Sequence, residues 1–162
     1  MWLNTPVDDA RISADAECLI IDSFMKTATA TDSLTKAEIT RLRELRGRLL
    51  HLHKTLLDME RQDYEKRFGR VTTGELLQLV INHTQFAWLR IISALVVEID
   101  EVLNGEEHAT LSDSEDLISQ ARLLFTSPRN EEFRTRYQAA LQHEPAAVMA
   151  HSTVMQLLRQ DS

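Results

Sequence analysis

Apolar residues recur along this chain at intervals of three and four, the spacing of one face of an α-helix. The clearest run is Leu42, Leu45, Leu49, Leu52, Leu56 and Met59, stepping 3, 4, 3, 4, 3, which is a heptad seam. A parallel line of Leu50, His53, Leu57 and Tyr64 widens the predicted buried face. Thr35 stands before the run with Glu38 three residues on, the pairing of a capping box. Gly69 follows it, suited to the left-handed position just past a helix end. The pattern predicts one long helix over 35–68. A seam this short is expected to pack inside a bundle, since dimeric coiled coils sustain theirs longer.

Other segments repeat the same grammar. "SADAECLIIDSFMKTA" (13–28) reads as a modest amphipathic helix, followed by a polar connection. Thr72 and Glu75 form a second capping box, opening "GELLQLVI". Asn82 to Thr84 is a weak break, with Thr84 the expected cap of a new helix over 85–103 that ends at Asn104-Gly105. Ser112 and Glu115 suggest a third box and a helix over 113–125, stopped by Pro128. A helix over 130–144 follows, and Pro145 suits the first position of a last one. No segment has convincing strand periodicity, and no internal repeat is visible. The expectation is an all-α, single-domain bundle of five or six helices, built around the long helices at 35–68 and 85–103. The domain is expected to cover 1–162, with 1–12 a loosely ordered arm.

Residues 83–103 raise a specific question. On a helical projection Trp88, Ile92, Leu95, Val96, Ile99 and Leu103 form a broad apolar face. Arg90 lies on the other side, in the line His83, Ala87, Arg90, Ala94, Val97, Glu101, with Phe86 beside it. That line is too apolar for an ordinary solvated face, and a helix apolar nearly all round is a central helix. The sequence thus predicts a second layer over Arg90, from the C-terminal helix (Val148, Met149, Val154, Met155, Leu157, Leu158) or from a partner subunit. Beneath it the guanidinium needs a carboxylate or backbone carbonyls, because an unpaired buried charge is costly. Phe86, Ala87, Ala94 and Val97 are the candidate interface residues. Arg90, His83 and Glu101 are the candidate ligand-binding set.

Charge modifies this picture only locally. The net charge is −7 over 162 residues, yet 36–70 carries +4. A basic helix beside acidic ones, with charges paired at i,i+4, accounts for this. A nucleic-acid face is not expected, since the overall acidity repels phosphate and no stacking aromatics punctuate the basic stretch. Four glycines and three prolines are few for this length, in keeping with helices. The single cysteine, Cys18, has no partner for an internal disulfide and suits a reducing compartment. The N-terminus lacks a signal-peptide pattern, and the longest uncharged apolar run, 91–97, is far shorter than a bilayer span of ~20 residues. A cytoplasmic protein with no membrane contact is expected.

Catalytic and metal chemistry find little support. None of the six histidines has another His, Asp or Glu three or four residues away, so no two-ligand helical metal site is written in the chain. Gly47, Gly69, Gly74 and Gly105 never cluster into a phosphate-cradling loop. Cys18 sits among acidic residues, which disfavours a thiolate nucleophile. No catalytic residue, metal or cofactor is expected.

The segment 45–101, with its "RLLHLHK", its "GELLQL" and its "FAWLR" ahead of "IDE", resembles a family of small all-helical bacterial proteins with no assigned function. The resemblance covers about a third of the chain. It implies a bacterial cytosolic origin and carries over no site residue. Together these readings lead to an expected non-catalytic interaction or regulatory protein that pairs with itself as a homodimer or with another protein. The alternative is a ligand-binding or enzymatic bundle around Arg90, His83 and Glu101.

Overall fold

Leu42, Leu45, Leu49, Leu52 and Leu56 are wholly shielded from water, and the rest of the bundle is arranged around the helix that carries them. The computed structural model of the chain describes residues 33–105 and 109–159. The helical bundle is a compact unit that begins at Leu34. The helix expected over 13–28, the arm over 1–12 and Cys18 lie outside the described residues. The described elements are α1 (Lys36–Phe68), α2 (Thr73–Asn82), a 3-10 helix (Thr84–Leu89), α3 (Arg90–Asn104), α4 (Leu111–Thr126), α5 (Glu131–His143) and α6 (Pro145–Arg159). The fold is all-α.

Local chemistry fixes the ends of α1. The Glu38 N–H donates to the Thr35 hydroxyl at 3.3 Å, and the Thr35 N–H donates to the Glu38 carboxylate at 2.7 Å. At the other end Gly69 has φ 92° and ψ 171°. Its φ is positive as expected, but its ψ is extended, so it lies outside the left-handed helical basin in a region almost confined to glycine. The turn it makes is tied back to α1. Glu65 accepts the Val71 N–H at 3.1 Å, and Arg61 reaches both Glu65 and the Val71 carbonyl. The Val71 N–H, aided by Arg61, holds the Glu65 carboxyl below its ordinary value.

The second capping box forms as the sequence suggests, between Thr72 and Glu75. The third does not. Thr110, not Ser112, caps α4, with Asp113 completing the box. The helix so begun buries Ser114, Leu117, Ile118 and Ala121. The break at 82–84 is real, and His83 rather than Thr84 is the cap. Its Nδ1 accepts the Gln85 N–H at 3.1 Å, and residues 84–89 wind as a 3-10 helix before α3 begins at Arg90.

Two antiparallel pairings shape the body. His53 of α1 meets Ser93 of α3, and Arg46 pairs with Asp100, so α3 runs back along α1. Ile92, Val96 and Ile99 of α3, with Trp88 and Leu89 of the 3-10 helix, join the α1 leucines in one buried core. On the other flank of α1 lies α6, with Ala147 and Ala150 on its buried face, where small side chains allow close approach. Arg48 donates to the Thr153 carbonyl across that contact. α5 and α6 form a hairpin held by Tyr137 and His151, and α3 and α4 form another. The second layer predicted over the Arg90 stripe is therefore not the C-terminal helix, whose apolar face is spent on α1, α4 and α5.

Candidate interaction surface

The structure gives Arg90, His83 and Glu101 separate tasks. Arg90 is exposed, and its guanidinium donates to the Ile81 carbonyl in the last turn of α2. Its partner is an orphan carbonyl of a helix end rather than a carboxylate. His83 is half-buried at the same corner, with Tyr64 and Phe86 edge-on to its ring. Glu101 is exposed on α3, about 16 Å further along the axis at ~1.5 Å per residue. Arg90 and His83 thus secure the α2–α3 corner, and Glu101 does not join them.

The candidate interface residues also separate. Phe86 is fully buried within the chain's own core, and Ala87 is half-buried. Ala94 and Val97 face outward. The register set by His53–Ser93 and Arg46–Asp100 brings Leu50 of α1 level with Val97 of α3. Leu50, expected to be buried, is 41% exposed; Val97 is 53% and Leu123 of α4 is 51% exposed. Three mutually contacting helices thus each present an exposed apolar side chain, with α3 and its Val97 between the other two in the register. Sequence alone missed Leu50 and Leu123, because each helix seen singly assigns them to the edge of a buried stripe.

Between α3 and α4 this face deepens into a groove of about 580 Å³, floored by Ile91, Ala94, Leu95, Leu123, Leu124 and Pro128. Its ends differ in charge. Arg129 and Asn130 stand at the Ile91 end, where Arg90 is the next residue along α3. Glu98 and Gln120 stand at the other, beside a depression that adds Glu101, Asp113 and Asp116. Among the described residues neither the Glu98 nor the Arg129 side chain has a hydrogen-bond or ion-pair partner.

Elsewhere polar side chains are consumed in holding the bundle together. Glu60 is buried, falling four residues after Leu56 and so on the seam itself. Its carboxylate accepts from Trp88 Nε1 at 3.0 Å and Gln85 Nε2 at 2.8 Å, and Arg136 lies 3.5 Å away. His53 Nε2 and Ser93 Oγ are 2.9 Å apart, and burial holds the imidazole below its ordinary value. Among the described residues no carboxylate orients the other ring nitrogen, so the pair lacks the acid of a nucleophilic triad. Burial likewise raises the Tyr137 phenol and lowers His151, which are joined by a 2.8 Å hydrogen bond. No group of His, Cys, Asp and Glu among the described residues has the arrangement of a metal site.

α2 is a second apolar feature. It has no fully buried side chain, and Leu77 and Ile81 face water, as does Phe68 at the end of α1. It rests mainly on the 3-10 helix.

These features define an all-α bundle with an open apolar face. No family model, no curated protein and no solved structure matches the chain. Among the described residues no helix is long and apolar enough to cross a membrane.

Proposed function

We propose that this chain is a non-catalytic helical interaction protein whose binding surface is the α1–α3–α4 face centred on Val97. The observation that carries the reading is the alignment of Leu50, Val97 and Leu123, each at least 41% exposed, on three adjoining helices. Scattered exposed apolar residues need no explanation, but a contiguous patch over a packed platform marks an interaction site. The platform is firm, since Leu49, Leu89, Ile92 and Ala121 beneath it are fully buried. The bundle's inner polar groups support the same reading, because Glu60, His53 and Tyr137 are each engaged with neighbouring side chains. Cytosolic placement and a regulatory role belong to this proposal.

A photo-crosslinking residue placed at position 97, 123, 77 or 131 in cells producing the full chain tests it. Adducts are expected from 97 and 123, and none from 131 on α5. Absence of adducts from 97 and 123 would sink the reading, and adducts from 77 alone would transfer the surface to α2.

A further inference from the structure

We infer that the α3–α4 groove is closed by a second copy of the same chain, related by a two-fold axis passing near Ala94 and Leu123. The inference rests on the interaction reading above and names its partner.

The groove is self-complementary in charge. A two-fold interface places the same patch on both subunits, and with the axis running across the groove each end meets the opposite end of its twin. From Ile91 to Glu98 is two helical turns, about 10 Å. Arg129 stands at the Ile91 level, and Glu98 at the other. Rotation by a half-turn about the Ala94 level therefore sets Glu98 against Arg129 of the partner subunit, and Arg129 against Glu98 of the partner subunit. The flanking charges agree. Arg90 is cationic at one end, and Glu101, Asp113 and Asp116 line the acidic depression at the other. A parallel alignment would oppose like charges, so the pattern selects one orientation. Between the charged ends lie Ala94, Leu123 and Leu124, with Val97 alongside. Ala94 is small enough to let the second α3 approach closely. Both charged side chains lack an internal partner among the described residues, so docking breaks no existing pair. An unrelated partner would have to reproduce this dipolar pattern, whereas a second copy already carries it.

Sedimentation velocity of the full chain over a concentration series tests the inference, using Glu98→Arg, Arg129→Glu, the double variant and an equimolar mixture of the two single variants. Both positions are exposed, and circular dichroism confirms that each variant folds. The wild type is expected to form a dimer that weakens as salt is raised. Each single variant opposes like charges twice and is expected to weaken the dimer at least about tenfold, since tenfold corresponds to ~1.4 kcal/mol. The mixture restores both attractive pairs in a heterodimer, and the double variant restores them in a homodimer, so both are expected to recover association. A wild type that stays monomeric overturns the inference. So does a dimer indifferent to the swaps, or one that the mixture fails to restore. Crosslinks from positions 97 and 123 to a different protein also overturn it, while leaving the interaction reading intact.

Discussion

The Glu60 carboxylate accepts the indole N–H of Trp88 at 3.0 Å, joining α1 to the 3-10 helix inside the core. Gln85 donates to both the carboxylate and the backbone carbonyl of Glu60, and Arg136 brings α5 to the same point. One acid therefore holds three elements. Glu60→Ala leaves the buried Trp88 donor without an acceptor, leaves Gln85 only the backbone carbonyl, and is expected to destabilise by about 3 kcal/mol. Glu60→Gln keeps an acceptor but loses the charge, and should cost less. Urea unfolding of these variants and of Trp88→Phe, alone and combined, gives the coupling. Strict additivity would show that the contact contributes nothing to stability.

Two glycines of α1 and its end should respond oppositely to alanine. At Gly69 no neighbouring atom obstructs a Cβ, yet φ 92° with ψ 171° is a conformation that alanine resists. Gly69→Ala is expected to cost roughly 1–3 kcal/mol. Gly47 sits exposed within α1, also with room for a Cβ. Gly47→Ala is expected to stabilise by about 1 kcal/mol through helix propensity. Thermal melts of the two variants moving in the same direction would contradict this account of the backbone.

Acid should weaken the fold at a pH set by its partly buried imidazoles. Burial depresses His53, and burial with help from Arg159 depresses His151. The unfolded chain takes up these protons near the ordinary value of about 6.5, the folded chain only at lower pH. In that window the unfolded state binds more protons, so stability is full above about pH 6.5 and falls as the pH drops below it. His53→Gln retains a hydrogen-bonding group toward Ser93 and removes one titration. Its melting temperature should therefore decline less steeply with acid than that of the wild type, and identical slopes would exclude His53 as a contributor.

Arg90 is expected to matter little globally and much locally. It is exposed and serves a single helix-end carbonyl, so Arg90→Ala should cost no more than about 1 kcal/mol. Arg90→Met loses the same hydrogen bond and should behave alike. Hydrogen exchange ought to show faster opening of α2, whose side chains are at best half-buried. A loss of several kcal/mol would restore the buried ion pair that the sequence suggested.

What the chain decides by itself are features built from residues three or four apart. The α1 seam, the Thr35–Glu38 and Thr72–Glu75 boxes, the break near His83 and the first position of α6 at Pro145 are all of this kind. Each is a local balance of backbone hydrogen bonds and side-chain spacing, so its signal is complete within a few residues. Where two such signals compete, as between Thr110 and Ser112, the box closes at Thr110 with Asp113. The burial of Glu60, the carbonyl beneath Arg90, and the open face joining Leu50, Val97 and Leu123 belong to the tertiary structure alone. Trp88 is 28 residues from Glu60 and Arg136 is 51 from Gln85. Periodicity says that a helix face must be covered, but not by which helix. That choice depends on how whole helices share out a limited apolar surface: α6 covers one flank of α1, α3 covers the other, and the outer side of α3 is left open.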